Sequence, residues 1–94
     1  MASLRDLKKD IKHMVEHFIQ ECYIHLAYSP PVNTENVMDI ISDAIRLRAE
    51  TLSSLNNPPR GKDRVEQKSY YKTLIGDFYD GIVELTERLN SLSY

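Results

Sequence analysis

Residues 70–92 read Tyr-Tyr-Lys-Thr-Leu-Ile-Gly-Asp-Phe-Tyr-Asp-Gly-Ile-Val-Glu-Leu-Thr-Glu-Arg-Leu-Asn-Ser-Leu. In this stretch Tyr71, Ile75, Phe78, Ile82, Leu85, Leu89 and Leu92 recur at alternating spacings of four and three. An apolar repeat of 3.5 residues sustained over about three heptads marks a helix that buries one seam against other helices. The remainder of the chain therefore has to supply what covers that seam.

Two further amphipathic segments precede it. Leu4, Leu7, Ile11, Met14, Val15, Phe18, Cys22 and Leu26 share one face at helical spacing, with Asp6, Lys9, Asp10, His13 and Gln20 opposite. Ser3 followed by Asp6 reads as the capping pair of this first helix. Ser29-Pro30-Pro31 ends it, because proline lacks the backbone donor and disfavours helix in the residue before it. A second helix follows, with Asn33 or Thr34 as its cap and Glu35 against the positive end of its dipole. Val37, Met38, Ile40, Ile41, Ala44, Ile45, Leu47, Leu52 and Leu55 cover nearly half of its circumference. That stripe is broader than packing on one neighbour requires. Asn56-Asn57-Pro58-Pro59-Arg60-Gly61-Lys62 is a clear break, and Asp63 with Glu66 caps the third helix. No strand-like alternation occurs.

The expected fold is all-α: an antiparallel three-helix bundle over about 4–28, 35–55 and 64–92, forming a single domain over residues 1–94 that dimerisation could complete. Phe78, Ile82, Leu85 and Leu89 are assigned to its internal core. Gly76 and Gly81 fall inside the third helix but off its seam. Each costs about 1 kcal/mol relative to alanine, as tolerated surface glycine or as a point of close approach by another helix.

Bulk properties exclude several classes. With 41% apolar and 28% charged residues, the chain matches a soluble globular domain. A net charge of −2 gives no general attraction to nucleic acid or anionic membrane. No run is long enough to span a bilayer, and the first residues resemble no signal peptide, so a cytoplasmic location is expected. The single cysteine, Cys22, has no intramolecular partner and lies in phase with the buried residues.

Several patterns resemble chemistry. His13-Met14-Val15-Glu16-His17 matches H-x-x-E-H, in which two histidines one turn apart hold zinc and the glutamate acts as base. Glu21 continues that edge as a third candidate ligand. The motif faces away from the apolar stripe, however, and so has no dry cleft around it; the match is read as fortuitous. His25, at the edge of the buried stripe, is expected as a hydrogen-bonded core residue. Asp77, Asp80, Glu84 and Glu87 line the outer side of the third helix as a solvated acidic face, with no Glu-x-x-His to suggest a di-iron centre. Arg60, Lys62, Arg64, Lys68 and Lys72 form a basic region diluted by Asp63 and Glu66, a weak nucleic-acid candidate. No catalytic constellation emerges, and no cofactor is expected.

What the sequence does carry is surplus apolar surface. The end of the first helix, Cys22-Tyr23-Ile24-His25-Leu26-Ala27-Tyr28, is apolar or aromatic nearly all the way round. Together with the broad stripe of the second helix it nominates Tyr23, Ile24, Tyr28, Met38, Ile45 and Arg48 as interface residues. Arg48 projects among apolar positions, with its head expected to reach a carboxylate of the same chain or of a partner. The expected function is a self-associating protein–protein interaction module without catalytic activity, with a dimer as the default symmetry. The alternatives are an adaptor for a different protein, metal binding through His13 and His17, and nucleic-acid binding through Arg60–Lys72.

Overall fold

A computed structural model describes residues 4–57, 61 and 63–92. Its elements are three helices, α1 (Leu4–Tyr28), α2 (Thr34–Asn56) and α3 (Arg64–Asn90), with one 3-10 turn at Pro31–Asn33. The chain is an all-α three-helix bundle, with no strand among the described residues. The proposed cap of α1 depends on Ser3, which lies outside the described residues.

The turn chemistry follows the sequence at one junction and departs from it at another. Asp63 Oδ1 accepts from the Glu66 backbone N–H at 2.8 Å, the expected cap of α3. Asn33 occupies the cap position of α2, but its side chain makes no capping hydrogen bond. The reason lies in the preceding prolines. Pro30 and Pro31 start a 3-10 turn in which the Asn33 N–H donates to the Pro30 carbonyl at 3.0 Å. The chain thus enters α2 already helical, with Asn33 at φ −87° and ψ −8°, whereas a capping side chain needs extended backbone.

α2 is the central element. It packs along both α1 and α3, whereas α1 and α3 touch each other over a far shorter stretch. Its antiparallel course shows in three cross-links. Lys8 Nζ donates to Asn56 Oδ1. The Tyr70 hydroxyl donates to the Ser54 carbonyl at 3.2 Å, and Arg88 Nη1 meets Asp43 Oδ2 at 2.8 Å. The core consists of Ile11, Val15, Phe18 and Cys22 from α1, Val37, Ile40, Ile41, Ala44 and Leu55 from α2, and Phe78, Leu85 and Leu89 from α3. Ile82, assigned to that core by its heptad position, is only partly buried, because α1 does not close over it.

The helices are also staggered. Arg88, two residues before the end of α3, lies level with Asp43, nine residues after α2 begins. The molecule measures 52 × 18 × 17 Å, longer than the roughly 40 Å of its longest helix, because of this stagger and the connections at its ends.

At Gly81 α3 packs closely against a side chain of α2. A Cβ there would stand 2.9 Å from Leu47 Cδ2, so glycine lets the two helices meet. At Gly76 a Cβ would meet nothing within 4 Å.

Candidate self-association surface

The bundle leaves apolar surface uncovered. Tyr23, Ile24, Tyr28, Met38 and Ile45 are all exposed, with Tyr28 at 74%. Ile24, Tyr28 and Met38 lie at the end of the bundle where α1 joins α2 through the Pro31–Asn33 turn. Val32, in that turn, is 79% exposed.

These side chains lie on two flanks. Met38 and Asn56 are 18 residues apart, five helical turns, and therefore share a phase. Asn56 bonds Lys8, so Met38, and Ile45 seven residues on, lie on the flank of α2 that faces α1. Tyr23 projects from the matching flank of α1. Ile24 and Tyr28 lie on the other side, where α1 approaches α3. There a shallow cleft is lined by Met14, His17, Phe18 and Glu21 of α1 and by Ile82, Thr86, Leu89 and Asn90 of α3. Ile24 and Tyr28 follow His17 and Glu21 along α1 at spacings of three and four, past the residues that line the cleft. Tyr79 and Val83 precede Thr86 and Asn90 along α3 and are likewise not among its lining residues. Tyr79 and Val83 are about half exposed. The Thr86 hydroxyl donates to the Ile82 carbonyl at 2.8 Å, which ties its proton to the backbone of α3.

Tyr79 and Val83 were not singled out by the sequence reading. A signal existed: each directly follows a seam residue, Phe78 or Ile82, and together they widen the apolar stripe on one side of α3. Val32 was hidden between proline and asparagine in a segment read only as a turn.

Arg48 departs from expectation. Its phase lies within about 20° of Val37 and Leu55, both fully buried, so it occupies the seam of α2. It is partly buried, and no carboxylate of the described residues lies within 4 Å of it. Among the described residues the carboxylate expected from its own chain is not within reach, because Asp43 and Glu50 project from other sides of α2. Asp43 is instead engaged by Arg88 at 2.8 Å and, more loosely, by Arg46 at 4.0 Å. Thr51 is buried one turn further along the same seam, a polar residue that an apolar pattern passes over.

The remaining candidates have plain settings. His13, His17 and Glu21 are exposed, and among the described residues no group of three His, Cys, Asp or Glu side chains could hold a metal ion. His25 is buried, with Nδ1 2.7 Å from Ser29 Oγ. Cys22 is fully buried, and desolvation, with a smaller push from the Glu21 carboxylate, raises its thiol to about 11. Asp77, Asp80, Glu84 and Glu87 are exposed. Of the basic region, Arg60 and Lys62 lie outside the described residues, while Arg64, Lys68 and Lys72 are exposed on the first turns of α3. Among the described residues no helix is long and apolar enough to cross a membrane.

No family model, curated protein or solved structure matches the chain.

Proposed function

We propose that this protein is a non-catalytic interaction module that works by associating with a second copy of itself. The observation that supports this reading is the grouping of exposed apolar side chains. Ile24 and Tyr28 near the end of α1, Val32 in the turn and Met38 near the start of α2 are all exposed at the same end of the bundle. Single apolar residues scattered over a surface are ordinary, whereas several exposed at one end of a small bundle are typical of an interface. Tyrosine suits such a place, since its ring packs and its hydroxyl stays wet. A chain of about 94 residues buries only some two-thirds of its unfolded surface, so a second copy would also add to its stability.

The test is the mass in solution at micromolar concentration together with Ile24→Glu. A dimer that the substitution dissociates supports the proposal, and a monomeric wild type refutes it.

A further inference from the structure

The polar side of α1 holds a pair of residues that self-association does not use. His13 and His17 stand four residues apart in the middle of α1, nine residues past Leu4 and eleven before Tyr28. Side chains at that spacing are neighbours on successive turns, with Cβ atoms about 5–6 Å apart. Both histidines are exposed, and among the described residues no hydrogen bond or ion pair engages either ring. His25, by contrast, is buried with its Nδ1 against Ser29 Oγ. Each outer ring thus has a nitrogen free to donate.

We infer that His13 and His17 form a two-histidine clamp for a divalent cation of the zinc and copper class. Imidazole nitrogen suits such ions, whereas calcium and magnesium take oxygen donors. The surroundings favour positive charge. One turn from one or other histidine lie Asp10, Glu16, Glu21 and Lys9, all exposed, three carboxylates to one ammonium. Across the cleft from His17 and Glu21 are Thr86 and Asn90, and neither lysine nor arginine lines that cleft.

The helix does the positioning. The two rings are neighbours only while α1 is helical, and burial of Ile11, Val15 and Phe18 on another face of the same turns holds it so. Once one ring has bound an ion, the other meets it as an intramolecular ligand, which raises the affinity well above that of a single imidazole. Two ligands accord with the absence of a three-residue set among the described residues, since a closed structural site would need four. The remaining positions of a tetrahedral ion then fall to water or to a donor from another molecule.

Thermal unfolding of the full chain with zinc chloride tests the clamp. The folded chain holds it and the unfolded chain does not, so Tm should keep rising with zinc concentration. Equilibrium dialysis should give one ion per chain. EDTA should reverse the rise, and magnesium chloride should not produce it. His17→Ala leaves a single ring and should weaken zinc binding on the order of a hundredfold. His13→Ala combined with Glu21→His moves the pair one turn along, to positions 17 and 21, and should restore the binding. All three positions are exposed, so these changes leave the core intact. A wild-type Tm indifferent to zinc overturns the inference, and so does a rise that His17→Ala leaves in place. A double variant as weak as His17→Ala overturns the role of the spacing. Each result is independent of whether two copies pair.

Discussion

A Cβ on Gly81 would stand 2.9 Å from Leu47 Cδ2, whereas one on Gly76, five residues earlier in the same helix, would meet nothing. Two glycines that the sequence treats alike thus have different reasons to be there. Alanine at Gly76 gains helix propensity without a steric cost, about 1 kcal/mol. Thermal unfolding followed by circular dichroism should show Gly76→Ala raising Tm by roughly 4–8 °C. Gly81→Ala gains the same propensity but has to displace the tip of Leu47, and its Tm should rise less or fall.

Leu55 is fully buried at the α2 end of the core, and Val65 is 76% exposed at the start of α3. Leu55→Ala removes three carbons from a packed site and should cost about 2–5 kcal/mol. A domain of this size has only some 5–14 kcal/mol to lose, so the urea midpoint should drop steeply. Val65→Ala should move stability by no more than about 0.5 kcal/mol.

The contrast between these residues shows how much of the fold was legible. The heptad of α3 and the stripe of α1 fixed the three helices, because a buried seam must recur at helical spacing. The tandem prolines placed both connections. What the pattern did not contain was the position of one helix along another. Where one helix comes to lie along another depends on which turns interdigitate, as at Gly81 with Leu47 and Arg88 with Asp43. Arg48 and Thr51 were obscured for a related reason: both occupy seam positions of α2, where a reading by residue type expects only apolar side chains. The unmade Asn33 cap reflects a local competition, since Pro30 and Pro31 had already set helical backbone before the cap position.

Cys22 gives a pH prediction with a definite sign. Its folded thiol is raised from 9.0 to about 11, chiefly by desolvation, so folding favours the neutral form. The unfolded thiol ionises first as pH rises. Its contribution to stability is therefore complete below pH 9 and is lost between about 9 and 11. Denaturant unfolding from pH 8 to 11 should show a decline that Cys22→Ala reduces. In the same vein, a thiol reagent at pH 8 should label the native protein only slowly and the urea-unfolded chain at once.

Ile24 and Tyr28 are exposed near the end of α1, and His13 is exposed about three turns before Ile24 in the same helix. Glutamate at either position would bring an unpaired charge into the proposed interface while leaving the core untouched. Ile24→Glu and Tyr28→Glu should each weaken self-association at least tenfold in sedimentation velocity, and His13→Ala should leave it within twofold. Equal effects from all three would show that the end of α1 is not where the copies meet.

Arg48 lies partly buried in the seam of α2 with no carboxylate of the described residues within 4 Å. Replacing it with methionine keeps the stem and removes the charge. If Arg48 meets only water, Arg48→Met should leave the dimer unchanged and stabilise the fold slightly. If it meets a carboxylate of the second copy, dissociation should accelerate severalfold by surface-based kinetics.

The central claim is that this chain completes itself by pairing, and mass in solution tests it most directly. Multi-angle light scattering at 10–100 μM (about the range where a weak dimer forms) should give a mass near twice the 10.9 kDa of the chain, falling toward it on dilution. A mass of 10.9 kDa throughout that range would contradict the account.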